Sequence, residues 1–342
     1  MLDIFSTLIA PPLVAVDVGT ATTRLYASAS DTLTEQPSTL SLREAQTVDV
    51  ADEYLRHTNR QLASRPLRGG VVVDVRNAVS LLRPLLRQAR QRFLQPISLA
   101  SAPSDTTPLE RARLQEALLQ AGAKKVFIMP EVLAAALGAG LDIEQGQAQL
   151  LVDIGDGVTD MAVLRCGRIV AATSIRLACS DLQRAVRSCL ITLHRVRVSD
   201  SAAERLTHCL AALLREDDGG ETLQLEALDI GARRQRQCQV SRRDLALAME
   251  PLLARITATI SAGVRRLPEE VRREIAASPL CLTGGGALIS GMDRLIAAGT
   301  GLAVRVADDP LHAVINGAIH TLRSRHGDKE WWEHIDWPKF SA

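Results

Sequence analysis

Leu150-Leu151-Val152-Asp153-Ile154-Gly155-Asp156-Gly157-Val158-Thr159-Asp160-Met161-Ala162-Val163-Leu164 reads as two apolar runs joined by a turn rich in aspartate and glycine. Short apolar runs bounded by such residues are the pattern of a strand, a tight turn and a returning strand. The same arrangement occurs earlier, where Leu13 to Val16 lead into Asp17-Val18-Gly19-Thr20-Ala21-Thr22-Thr23 and a strand-like run follows from Arg24 to Ala27. Glycine lets backbone amides approach an anion, and the hydroxyls of Thr20, Thr22 and Thr23 add donors, so each turn suits a phosphate. Alone, the first turn is equally an ordinary hairpin. As a pair, the two can clamp one polyphosphate from both sides. Asp153 and Asp156 would then repel the ligand unless a divalent cation lay between them, which implies magnesium, and Asp17 is suited to hold such an ion through water.

Thr283-Gly284-Gly285-Gly286-Ala287 forms a third element after the strand-like Leu280 to Leu282. Consecutive glycines at a strand end leave room for a ribose or a flat ring against backbone, and a helix expected to run from here toward Gly299 would present its N-terminus to phosphate. The element is neither a Walker A loop nor a GxGxxG fingerprint. Further strands are expected at Val71 to Val75, Ile97 to Ala100 and Lys125 to Ile128. Helices are expected at Ala78 to Phe93, Pro108 to Ala121, Glu131 to Leu141, Asp181 to Leu193 and Arg243 to Leu267. The fold class is mixed α/β.

In this order and at these separations, the two hairpins and the glycine triplet resemble the phosphate-one, phosphate-two and adenosine motifs of the actin, DnaK and sugar-kinase superfamily. Four further segments resemble the MreB family: Glu35 to Ser38, Arg65 to Asp74, Glu131 to Gly140 and Ala307 to Leu311. The resemblance implies a two-lobed actin-like ATPase fold of duplicated ribonuclease H-like domains, each a mixed sheet with flanking helices. Residues 1–37, 66–149 and 309–325 would form subdomain IA and 38–65 subdomain IB. Residues 150–185 and 278–308 would form IIA, 186–277 IIB, and 326–342 an aromatic tail.

The same resemblance implies ATP or ADP with Mg2+. Gly19, Thr20, Ala21, Gly155, Asp156 and Gly157 would lie on the phosphates and Thr283, Gly284, Gly285, Gly286 and Ala287 on the adenosine. Asp17 and Asp153 would position the metal. Glu131 would orient the attacking water with help from Thr159, since a carboxylate facing a γ-phosphate can accept a proton or hydrogen bond. As a bare residue, Glu131 equally reads as an acid complementing a helix N-terminus. The sequence departs from the family at Arg176-Leu177-Ala178-Cys179-Ser180-Asp181, where a Gly-Gly-Asp is usual, so Cys179 stands for a glycine and Ser180 for the acid. Pro130 and Val132 also depart, whereas the Gly-Asp-Gly-Val-Thr of the second hairpin matches actin itself.

What the resemblance implies for activity is a filament-forming cytoskeletal protein organising wall or spore-wall synthesis and cell shape, with weak ATP hydrolysis coupled to assembly. The alternative is a nucleotide-binding regulatory or chaperone-like switch without assembly or turnover. Partners would be further copies of the chain, MreB-type paralogues and membrane proteins of envelope synthesis. Small-molecule phosphotransfer would need a base in the cleft that no segment clearly supplies.

Bulk properties fit. With 342 residues, 46% hydrophobic, the chain can fill two cores. A net charge of +1 gives no field favouring nucleic acid. The six cysteines show no CxxC spacing and read as buried thiols of a reducing cytoplasm. No apolar run is expected to span a bilayer, and the N-terminus lacks a signal peptide's basic flank, so a cytoplasmic protein, peripheral at the membrane, is expected. Phe93 and Leu94, flanked by Arg90 and Arg92, would either insert into that membrane or pack on the core. Segments 38–65 and 215–241 read as insertions. The termini offer an apolar Met1 to Ile9 and a tail holding Trp331, Trp332, Trp337 and Phe340, which would meet lipid, a partner or the protein's own surface.

Overall fold

The structure, a computed structural model, describes residues 11–41, 63–144, 146–208, 222–324 and 337. The stretch Met1 to Ile9, most of segment 38–65, Cys209, the acidic run Glu216 to Asp218, and Trp331, Trp332 and Phe340 lie outside these residues. The chain divides into two compact units, Met1–Asp142 with His312–Ala342, and Ile143–Leu311.

In the first unit, β1 (Leu13–Val18) turns back into β2 (Thr22–Ala27), which turns again into β3 (Thr32–Pro37). Among the described residues Val71 and Val72 pair with Leu67 and Arg68 alone, so the strand expected to reach Val75 stops early. The reason is Asp74, whose carboxylate accepts from Asn77 N at 3.0 Å and caps helix α1 (Val75–Gln88). That helix ends at Gln88, short of the expected Phe93. Residues Gln91 to Leu94 instead form a tight turn closed by a bridge between those two residues. Strand β4 (Ile97–Ala102), helix α2 (Pro108–Ala121), strand β5 (Lys125–Pro130) and helix α3 (Glu131–Gly138) follow. Thr107 and Glu110 form a capping box and Pro108 fills the first turn of α2, which is why its start was legible. The sheet order is β3-β2-β1-β4-β5, with β1, β4 and β5 parallel.

The second unit repeats that order. Strand β6 (Gln149–Ile154) pairs with β7 (Thr159–Arg165) and β7 with β8 (Arg168–Ile175). Helix α4 (Cys179–His194), strand β9 (Val196–Arg197), helix α5 (Asp200–His208), strands β10 (Thr222–Asp229) and β11 (Gln235–Ser241), helix α6 (Arg242–Arg266) and helix α7 (Glu269–Ala276) come next. After them run β12 (Leu280–Thr283), α8 (Met292–Thr300) and β13 (Val304–Val306), completing a sheet β8-β7-β6-β12-β13. Both units therefore carry three antiparallel strands followed by two parallel ones, the duplicated mixed sheet that was expected.

The described part of 215–241 is regular: β10 and β11 pair along seven residues and β9 joins them in a third sheet. Leu223, Leu225 and Ala227 turn inward while Thr222, Gln224 and Glu226 are exposed, a period of two that the surrounding charge obscured. Helix α6 has the length and mean hydropathy of a membrane span. Its Leu245, Met249, Leu253, Ile256 and Ile260 are spent on the core of the second unit, where each fully buried side chain contributes about 1.5–3 kcal/mol.

The chain returns to the first unit as helix α9 (Ala313–Ser324), packed along α3. The two backbones nearly touch. A Cβ placed on Gly138 would fall 1.8 Å from Ala313 O, and one on Gly317 would fall 1.7 Å from Ala134 O.

Candidate nucleotide-binding site

Each unit places an acidic hairpin at the carboxyl end of its central strand. In the first, Gly19 N donates to Thr22 O at 3.1 Å, and a Cβ on Gly19 would sit 2.8 Å from that oxygen. In the second, Gly155 N donates to Val158 O at 2.9 Å. The turns are thus built alike. The first is braced from outside: Ser38 N donates to Ala21 O, Ser38 Oγ to Gly19 O at 2.6 Å, and Gly70 N to Thr20 Oγ1 at 2.8 Å. Because that last bond uses the hydroxyl as acceptor, the Thr20 proton is left to donate to an anion.

Asp17 and Asp153 occupy matching places, each 6% exposed. Burial raises the Asp17 pKa above the usual carboxylate value, and Arg24, 3.3 Å away, works against that rise, as does the Ser101 hydroxyl. Asp153 Oδ1 accepts the Thr283 hydroxyl at 2.7 Å across the β6 and β12 ladder. Thr283 is fully buried and holds Asp153 through this bond.

Glu131 opens α3 directly after β5. Val16 lies opposite Ala100, and Ala102 opposite Pro130, so Glu131 sits one residue beyond the row that ends β1, two strands from the first hairpin. At about 4.8 Å per strand, that is roughly 10 Å across the sheet.

The sequence matches the MreB/Mbl protein family over residues 12–330. The chain belongs to the MreB/Mbl family. It is 27% identical to the cell shape-determining protein MreB of Escherichia coli over 330 residues, 92% of this chain and 95% of that protein. It is also 27% identical to the cell shape-determining protein Mbl of Bacillus subtilis, covering 89% and 93%. Crystal structures of MreB5 of Spiroplasma citri, bound to ADP or to AMPPNP, superpose with TM-scores of 0.81 and 0.80 at 25% identity, covering 94% of this chain and 99% and 98% of theirs. The MamK double helical filament shares the fold, with a TM-score of 0.73 at 17% identity, covering 91% and 98%.

Within this MreB/Mbl chain the glycine triplet has a second, structural duty. Cβ atoms on Gly284 and Gly286 would meet Ile154 O at 2.3 Å and Ile154 Cγ2 at 2.2 Å, so both glycines let the loop close onto β6. Only Gly285 faces looser surroundings, with Leu311 Cδ2 at 3.8 Å and Cys179 Sγ at 3.9 Å from its added carbon. No long helix starts at the triplet, contrary to expectation: Gly285–Leu288 form a short 3-10 turn, and α8 begins at Met292. Gly291, with φ of 85°, breaks the two apart.

The departure at Cys179 is structurally absorbed. Cys179 N donates to Gly155 O at 3.2 Å and Ser180 N to Asp156 O at 2.9 Å, so α4 is fastened to the second turn through its first amides. Asp181 replies to the Ala178 amide at 3.1 Å. The thiol is buried, and desolvation together with the Asp156 and Asp153 charges pushes its pKa far up, which keeps it protonated. Thr159 is 2% exposed and donates its hydroxyl to Leu177 O at 2.8 Å. It fastens β7 to the segment ahead of α4. Gly157 is buried in the turn and Ala287 in the 3-10 turn.

For magnesium, no three metal-ligating side chains converge among the described residues. Magnesium asks only one or two carboxylates besides waters and phosphates, and Asp153, oriented by Thr283, fits that demand. Asp17 fits it poorly, because Arg24 already stands beside it. Reasoning from the sequence missed Arg24, Ser101 and Asp160, the last 2% exposed and hydrogen-bonded by Ser174.

Proposed function

We propose that this chain is a cytoskeletal protein that binds ATP or ADP with magnesium, stacks head to tail with its own copies and helps to set cell shape. The observation that carries this reading is the duplicated acidic hairpin, Gly19-Thr20-Ala21 and Gly155-Asp156-Gly157, at matching strand ends of two sheets of one topology. Support comes from the relatives named for cell shape and from MreB5 with ADP and AMPPNP. Gly285 would lie toward the adenosine and Glu131 would orient water for hydrolysis. A heterologous contact propagates naturally into a filament, and nucleotide state would bias it through its differing affinity for assembled and free subunits.

The reading extends to the inner face of the cytoplasmic membrane, where wall or spore-wall synthesis and its membrane proteins would be the partners, together with other MreB-type chains. Phe93 supports it: the ring is fully exposed on the Gln91 to Leu94 turn, beside the exposed Arg90 and Arg92, instead of packing on the core. An apolar residue among arginines suits shallow, reversible lipid contact. A second reading, a nucleotide-responsive switch with little turnover, is favoured by Cys179 beside Gly285 and by the Thr159 hydroxyl bound to Leu177 O.

Sedimentation with ATP, ADP and no nucleotide, with phosphate release measured in the same samples, separates the two. Nucleotide-dependent pelleting supports the filament. Binding without pelleting or turnover supports the switch, and failure to bind nucleotide removes both.

A further inference from the structure

Strand register places three charged residues side by side on the first sheet. Asp17 of β1 lies opposite Arg24 of β2, and Arg24 lies opposite Glu35 of β3. Directly opposed residues project to the same face, so the three side chains form one row. Arg24 Nη1 is 3.3 Å from Asp17 Oδ2, its Nε is 3.4 Å from Glu35 Oε2, and Glu35 Oε1 is 2.7 Å from His312 Nε2. The Arg24 and Asp17 side chains are only 13% and 9% exposed, so this guanidinium is a shielded charge and not a swinging surface arginine.

A carboxylate in a phosphate-binding turn repels its ligand unless a cation offsets it, which is the physical task of a divalent metal there. Arg24 already performs half of that task at Asp17. We propose that Arg24 is a resident cation of the first hairpin, held in place by Glu35 and His312, and that it lessens the dependence of nucleotide binding on magnesium. The inference rests on the nucleotide-binding reading above. Arginine suits the role because its charge persists at all accessible pH values and its planar fork engages two carboxylates at once. A metal can leave with the nucleotide, whereas this charge stays, so exchange of a metal-free diphosphate also becomes possible.

The test is the ratio of dissociation constants for a fluorescent ADP analogue in EDTA and in magnesium, measured on the full chain. The wild type is expected to lose less than about tenfold on metal removal. Arg24→Leu should lose a further tenfold to hundredfold or so in EDTA, the size expected when a shielded charge-assisted pair is removed. Arg24→Lys should restore part of the ratio, which a merely structural defect would not allow. If Arg24→Leu fails to fold, Arg24→Gln, which keeps a polar side chain beside Asp17 but carries no charge, should move the ratio the same way. An unchanged ratio in the folded variant overturns the inference alone. Absence of nucleotide binding by the wild type with or without metal overturns the nucleotide reading and this inference together.

Discussion

Replacing Gly317 with alanine tests the packing that places Glu131. The added methyl carbon would stand 1.7 Å from Ala134 O and 2.9 Å from Ala134 Cα, and ordinary contact begins at 3.4 Å, so α9 and α3 must part by about 1.7 Å. Both partners are backbone, and no rotamer change relieves the clash. Overpacking costs about 1–3 kcal/mol, and this site belongs at the upper end. Alanine regains up to about 1 kcal/mol of helix propensity, which leaves a net loss near 2 kcal/mol. At roughly 2–4 °C per kcal/mol for a unit of this size, Tm should fall by about 4–8 °C by calorimetry or circular dichroism. Gly146→Ala serves as control, because its added carbon meets nothing within 4 Å. A Gly317→Ala protein melting with the wild type would refute the close approach of α3 and α9 and, with it, the account of how Glu131 is held.

Glu131→Ala should slow phosphate release by about a hundredfold or more while nucleotide affinity stays within a small factor, the signature of a water-orienting carboxylate; loss of affinity would show a structural residue instead. Cys179→Gly should tighten nucleotide binding by opening the space beside Gly285, at a helix-propensity cost of up to about 1 kcal/mol, and unchanged affinity in a fluorescence titration would show that the thiol obstructs nothing. Tyr26 donates to Asp31 at 2.6 Å, and burial followed by that carboxylate raises the phenol pKa. Its stabilisation is therefore complete below the unfolded value near 10 and fades as pH climbs through the raised folded value. Tyr26→Phe should accordingly show a shallower fall in Tm than the wild type above about pH 10, and parallel curves would contradict the assignment.

Much of the fold was legible because its signals are local. The two hairpins announce themselves by apolar runs ending in aspartate, glycine and threonine, and Thr107-Pro108 with Glu110 announces the start of α2. Where local signals compete, the reading slipped. Asp74 capped a helix where valines suggested a continuing strand, Gly291 broke a helix expected to begin at the glycine triplet, and charge concealed the alternation of β10.

By itself the sequence determined the class, the duplication and the family, since these rest on residue types repeated at fixed short spacing. Only the tertiary structure decided what each candidate residue touches. Thr283 anchors Asp153, and Thr159 donates to a backbone carbonyl. Phe93 stayed exposed, while Trp337, the one described aromatic of the tail, met Arg111 at 4.3 Å and packed on the first unit's core. His312 joined Glu35, and through it Arg24, across 277 positions of chain between His312 and Glu35. The physical reason is that strand register and chain return, neither encoded in any short window, fix which charges become neighbours.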